Sequence, residues 1–196
     1  VEENMFGSGI ANYRKQTSRR YVSSVFQGMY KKEIFDKIGL LDEKVGRVED
    51  NELHYRIRKN GYKIRYSNDI LSYQYTRPTV NRMLKQKYSN GYWIGKVSHV
   101  YPKAFSIFHF VPFVFVLGII FSLLILPLTK LFAVLLAVAY GLFTILVTLM
   151  TIVNNKFNVT MLLIPILLFL VHFSYGLGTL VGLVKGFSWK KEYYKK

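Results

Sequence analysis

Residues 111–126 read VPFVFVLGIIFSLLIL, residues 131–153 read LFAVLLAVAYGLFTILVTLMTIV, and residues 161–184 read MLLIPILLFLVHFSYGLGTLVGLV. From 107 to 184 the chain carries only two charged side chains, Lys130 and Lys156. A polar stretch of 106 residues cannot cover that much apolar surface, whereas a bilayer accepts it at about 20 residues per crossing. Three helical segments, near 107–128, 131–153 and 161–184, are therefore expected to form a transmembrane region.

Working outward, residues 1–106 hold 20 basic and 10 acidic side chains, and residues 185–196 hold five Lys and Glu192. The net charge of +16 thus divides into +10, +2 and +4 along the chain. Four regions follow: a polar part at 1–79, a basic amphipathic stretch at 80–106, the transmembrane region at 107–184, and a basic tail at 185–196. Three crossings would put the ends on opposite sides. Residues 77–103 and the tail are both rich in Lys and Arg, and both should prefer the cytoplasm. One segment, with Pro112 and Pro127 interrupting the first, is accordingly expected to lie in the interface or to re-enter. The first residue is Val and no signal sequence precedes the polar part, so the chain is expected to be the C-terminal piece of a longer protein.

In the polar part, residues 21–26 form a short β-like run, and Ile34, Phe35 and Ile38 recur at helical spacing before Gly39. Residues 49–60 make the clearest helix, with acids crowding its first turn, bases its last, and Gly61 after it. Tyr62, Ile64 and Tyr66, then Leu71, Tyr73 and Tyr75, alternate with polar residues around a turn at 67–69. From Val80 to about Val100 the spacing returns to helical, with Trp93 and Tyr88 among Lys and Arg, which suits the headgroup layer. Gly91 and Gly95 weaken that helix.

The chain has no Cys, which removes disulfides, thiolate chemistry and Cys-ligated zinc. Three of its eleven carboxylates, Glu49, Asp50 and Glu52, share one helical turn. A carboxylate there can accept a proton from a bound hydroxyl, and it can equally serve only to compensate the helix dipole. Asp50 and His54 lie one turn apart, a spacing that could share a metal or simply decorate an exposed face. His109 and His172 fall within the apolar spans, where a polar ring is either functional or packed. Gly7-Ser8-Gly9 completes neither a dinucleotide nor a Walker loop. The bases are spread over every element without an aromatic-basic recognition motif, which argues for an anionic lipid surface and against nucleic acid.

The strings Gly28 to Glu43 and Val48 to Ile64, including Glu49-Asp50-Asn51-Glu52-Leu53-His54-Tyr55-Arg56 and Gly61-Tyr62-Lys63-Ile64, resemble the second half of family 2 glycosyltransferases. Residues 5–30 and His172 to Gly178 are similar to the membrane-bound branch that builds exopolysaccharides of the succinoglycan type. The resemblance implies an α/β fold, the C-terminal part of a nucleotide-diphospho-sugar transferase domain of the GT-A type, followed by the transmembrane helices. It makes Asp50 the catalytic general base, with Glu49 beside it in the acceptor site. Gln86 matches the glutamine of the family's Gln-x-x-Arg-Trp motif near the acceptor, but Ser89 and Asn90 replace the Arg and Trp, and Trp93 comes three residues late.

That departure favours single-sugar addition to a lipid-linked acceptor over processive synthesis. The family's Asp-x-Asp, which holds Mg or Mn on the donor's diphosphate, does not occur here. By resemblance the longer enzyme uses a divalent metal and a nucleotide sugar donor, while this chain binds no metal and is expected to be inert alone. The expected activity is inverting transfer to a glycan or lipid-linked acceptor at the cytoplasmic face of the cell membrane. A membrane scaffold that retains a transferase remnant, and a small transporter, are the rivals.

Overall fold

A computed structural model describes residues 21–25, 27–70, 77–155 and 157–195. Two strands, β1 (Tyr21–Val22) and β2 (Ile64–Arg65), pair antiparallel, with Val22 opposite Ile64. Six helices follow the chain: α1 (Lys32–Ile38), α2 (Glu49–Lys59), α3 (Val80–Val97), α4 (Val111–Leu124), α5 (Leu131–Asn154) and α6 (Ile164–Tyr193). Short 3-10 turns precede α2, α4 and α6.

The α/β domain expected above is not what these residues form. Among the described residues the only strands are two residues long and make one ribbon, and helix dominates. The alternation at 62–66 pairs only where Val22 and Ile64 can bury together over Leu53 and Ile57 of α2. The second alternating run, 71–76, lies outside the described residues, as does the part of the resemblance at 5–20. The helical membrane region is as expected.

α1 ends at Gly39, whose φ of 82° glycine adopts without a side-chain clash and whose N–H bonds the Phe35 carbonyl. In α2, Val48 at the N-cap offers no side-chain acceptor, so Glu49, Asp50 and Glu52 carry the compensation of its positive end. Leu53 and Ile57 bury its apolar face against β1, β2 and α1.

α3 packs along α6 in the most extensive helix contact of the molecule. The two run parallel: Ser174 Oγ donates to the Leu84 carbonyl at 2.9 Å, and His99 Nε2 lies 2.9 Å from the Leu183 carbonyl. Glycines make the approach. A methyl group on Gly91 would overlap the Tyr175 carbonyl, and one on Gly178 or Gly182 would overlap the carbonyl of Tyr88 or Tyr92. The residues that weaken α3 in isolation are thus the ones that let α6 touch its backbone. Trp93, Ile94 and Val97 complete a core with Val45, Val48, Phe105, Trp189 and Tyr193.

Three helical stretches are long and apolar enough to cross a membrane, Ile107–Leu124, Leu131–Asn154 and Val159–Tyr193. Leu117, Phe121, Leu135, Leu142, Leu146 and Ile166 face outward, as lipid contact requires. α6 continues unbroken from its apolar half into the basic tail, and there it meets the polar part. Lys44 Nζ donates to the Tyr193 carbonyl at 3.1 Å, and the Tyr193 hydroxyl donates to Asp42. Residues 42–44 and 193 therefore share one side of the bilayer, which requires an even number of crossings. α5 and α6 run antiparallel, with Tyr140 bonded to His172 at 2.9 Å and Val147 packed on Ile164 and Leu168. α4, with 14 residues, rises only about 21 Å against a hydrocarbon core of about 30 Å. With the 3-10 turn before it the stretch has 18 residues, the shortest of the three and the one best suited to lie in the interface or re-enter.

Because the chain lacks Cys, this topology is directly testable with single-Cys variants in sealed vesicles. Lys59→Cys, Thr129→Cys and Lys191→Cys should all react with an impermeant maleimide from one side, and Asn155→Cys only from the other. Labelling of Lys59→Cys and Lys191→Cys from opposite sides would show three crossings.

Candidate functional site

The first turn of α2 holds carboxylates in very different surroundings. Glu49 is exposed, Asp50 is half-buried, and Glu52 is fully buried at 0% exposure. Glu52 accepts from Arg56 Nε at 2.5 Å and from Arg56 Nη2 at 2.8 Å, a bidentate pair one helical turn apart. The same guanidinium donates to the carbonyls of Ile38, Gly39 and Leu40. Glu52 and Arg56 thus fasten the loop after α1 to α2, and neither is free for chemistry. Burial of Glu52 is tolerable only because every polar partner is in place.

His54 stands one turn beyond Asp50, 1% exposed. Its Nδ1 lies 2.9 Å from Ser24 Oγ and its Nε2 lies 2.7 Å from the Tyr30 hydroxyl. Burial, helped by the charge of Arg58, lowers its pKa to about 4, so the ring is neutral at physiological pH. With both ring nitrogens bonded, the Asp50–His54 spacing does not act as a metal pair. Among the described residues no three His or carboxylate groups converge on a metal position.

The fold raises the proton affinity of Asp50. Burial lifts its pKa above the usual value, opposed by hydrogen bonds that Oδ1 accepts from Asn51 N at 2.7 Å and Asn51 Nδ2 at 2.9 Å. Burial, and then the charge of Asp50, raise the pKa of the Tyr30 phenol as well. Ser24 and Tyr30 bond the two ring nitrogens of His54, one turn along α2 from Asp50. The sequence singles out neither Ser24 nor Tyr30, because a Ser and a Tyr in the preceding run carry no spacing signal toward α2.

Gln86 lies elsewhere, on α3. It lines a cavity of about 270 Å³ with Arg47, Arg77, Arg82 and Lys85. Its Oε1 accepts from Arg77 Nε at 3.4 Å, and Arg47 Nε donates to Asn90 Oδ1 at 3.1 Å. Trp93 sits two turns further on, its indole against Gly46 and under the Lys96 ammonium, 4.7 Å from the ring centroid. The structure therefore brings Asp50 and Glu49 together, joins Gln86 to a cationic pocket, and packs Trp93 into the core behind both. His109 caps its own turn, with Nδ1 accepting from Ser106 N at 3.1 Å, and His172 packs with Tyr140 and Phe143.

No family model matches the chain, and no solved structure matches it. The chain is 28% identical over 169 residues, 86% of its own length, to a Methanococcus voltae protein, Dolichyl N-acetyl-alpha-D-glucosaminyl phosphate 3-beta-D-2,3-diacetamido-2,3-dideoxy-beta-D-glucuronosyltransferase. It spans about half of that relative, 49% of its length. Over most of its length the chain is thus similar to a glycosyltransferase whose name specifies a lipid-linked sugar phosphate. The similarity supports a membrane glycosyltransferase; it does not extend to family 2 or to the succinoglycan-type branch.

Two stability outcomes follow. Arg56→Leu leaves Glu52 buried without its partner and should cost about 3–5 kcal/mol, read by denaturant unfolding in detergent. For His54 the native pKa of about 4 lies below the unfolded 6.5, so the unfolded chain takes up the proton first as pH falls. The contribution is full above about pH 6.5 and is lost toward pH 4. His54→Gln should flatten that part of the stability profile, and identical slopes in both proteins would refute it.

Proposed function

We propose that the chain is the acceptor-side and membrane-anchoring part of an inverting glycosyltransferase. The enzyme moves a sugar from a nucleotide diphosphate sugar to a glycan or lipid-linked acceptor in exopolysaccharide or cell-surface glycan synthesis. The polar part and the tail face the cytoplasm, where the surplus of Lys and Arg favours them.

The observation that carries this reading is Asp50, a half-buried carboxylate of raised proton affinity at the start of α2. A sugar hydroxyl is barely ionised at neutral pH, and a base whose pKa is raised toward the working pH takes its proton most effectively. In the step, the acceptor oxygen bonds the anomeric carbon, the bond from that carbon to the donor diphosphate breaks, and Asp50 takes the hydroxyl proton. The nucleoside diphosphate leaves with the electron pair. Glu49, exposed on the same turn, and Gln86 and Trp93 on α3 belong to the acceptor side in this reading. A divalent cation on the donor diphosphate belongs to it too, with ligands outside these residues.

The hydrogen bonds from Asn51 to Asp50 favour a second reading, in which Asp50 only satisfies the helix start and the chain is a scaffold. One substitution separates the two. Asp50→Asn keeps an acceptor for Asn51 and removes a charge that burial disfavours, so stability should be unchanged or slightly higher. As a base, Asp50 contributes about 10²–10⁴ in rate, and the full-length Asp50→Asn enzyme should lose that much turnover while folding and inserting normally. Near-normal transfer by the folded variant would refute Asp50 as the base, and absence of transfer from the unsubstituted full-length protein would favour the scaffold.

A further inference from the structure

The cationic cavity at the start of α3 carries charge that no carboxylate answers among the described residues. Arg47 reaches it from the turn before α2, Arg77 from the segment before α3, and Arg82 and Lys85 from the first turns of α3. Among the described residues the ion pairs are Lys31 with Glu33 and Arg56 with Glu52, so no carboxylate pairs with any of these four. Arg77 and Arg47 bond Gln86 and Asn90 through Nε, which leaves their terminal guanidinium nitrogens available to a ligand's oxygens. Thr79 caps α3 by accepting from Arg82 N, and the positive end of that helix adds to the field. Four cations in one concavity repel one another, and a multiply oxygenated anion relieves that repulsion with charge-assisted hydrogen bonds.

Depth decides which anion. Ser174, bonded to the Leu84 carbonyl, belongs to the apolar stretch of α6 that enters the bilayer. The first turns of α3 therefore run beside the membrane-entering stretch of α6, within reach of a phosphate carried on a lipid chain. Arg47 also ties the cavity to the candidate base. It is three residues from Asp50, so their Cα atoms are at most about 11 Å apart. In a sugar phosphate lipid, the phosphate and a ring hydroxyl are separated by one sugar ring, which fits between the two.

We infer that Arg47, Arg77, Arg82 and Lys85 form the seat for the phosphate of a polyprenyl-phosphate-linked acceptor. This rests on the lipid-linked acceptor of the reading above and names the residues that grip it. Its test reads binding and not transfer, so it fails or survives separately from the role of Asp50.

The probe is dolichyl phosphate, titrated into the chain in phosphatidylcholine nanodiscs and followed by native mass spectrometry. Dolichyl phosphate should bind in preference to dolichol, and Arg82→Gln/Lys85→Gln should weaken it by roughly tenfold or more, as expected for two lost charged hydrogen bonds. The charge-keeping Arg82→Lys/Lys85→Arg should retain most of the binding, and Lys59→Gln/Lys63→Gln, with the same loss of charge elsewhere, should leave it unchanged. Equal binding of dolichol, equal weakening by the control pair, or equal competition by phosphatidylglycerol would reduce the site to general attraction for anionic lipid and overturn the inference. Displacement by uridine diphosphate would assign the cavity to the donor and overturn it as well.

Discussion

Backbone meets backbone where α3 packs along α6, and the position of α3 and of the loop before α2 depends on that contact. Within and at the edge of a bilayer, burying Leu against Leu gains nothing over burying it in lipid, so helices associate through close packing and hydrogen bonds. Gly91 and Gly95 on α3, and Gly178 and Gly182 on α6, supply the closeness. Ser174 and His99 bracket it with hydrogen bonds across the seam. A side chain at any of these glycines would push α3 away from α6. The loop with Val45 and Val48, which packs on Trp93 and Val97, would move with it.

A second set of contacts carries that position forward to α2. The loop at 38–44 is held from both directions: Arg56 bonds the carbonyls of Ile38, Gly39 and Leu40, and Asp42 accepts from Tyr193. Tyr101 and Tyr193 also bond each other at 2.6 Å. The start of α2 is thus referred, through one short loop, to the end of a membrane helix. Burying Glu52 opposes folding unless Arg56 is present, and this arrangement uses one ion pair to fix a loop as well as a helix. It also sets the crossing number, because a chain whose residues 42–44 bond residue 193 cannot leave them on opposite sides of a bilayer.

What was legible from sequence was local. α2 is found at Glu49–Lys59 against an expected 49–60, because acid-first, base-last patterning and Gly61 are written in consecutive residues. α1 with its Gly39 cap and the three apolar helices were readable for the same reason. The α/β architecture was not, because alternation at 62–66 states which face is apolar and says nothing of how many strands stand beside it. Nor were the glycines of α3, whose low helix propensity is visible while their partner, some 90 residues later, is not. In the site, the acidic turn was plain, but its division into an exposed Glu49, a half-buried Asp50 and a clamped Glu52 depends on Arg56 and on the hydroxyls of Ser24 and Tyr30. The bases looked evenly spread because Arg47 and Arg82 are distant in sequence; the fold alone gathers them.

That gathering has a geometric consequence for the proposed chemistry. A transfer step needs the attacking hydroxyl held against its base to within a fraction of an ångström, and errors there cost rate steeply. Asp50 and Arg47 belong to one continuous turn, from the 3-10 segment Glu43–Val48 into α2, so they move together. Arg82 and Lys85 are on α3, which the glycine seam binds to α6. An acceptor gripped at its phosphate by both groups, and presenting its hydroxyl to Asp50, would be positioned between two bodies that the core of Val45, Val48, Ile94 and Val97 joins rigidly. The lipid chain would run down into the bilayer beside α6, and diffusion in two dimensions would replace a search through solution. On this reading the membrane helices do more than anchor the enzyme: they set the height at which the acceptor phosphate meets α3, and hence the distance from its sugar to the base.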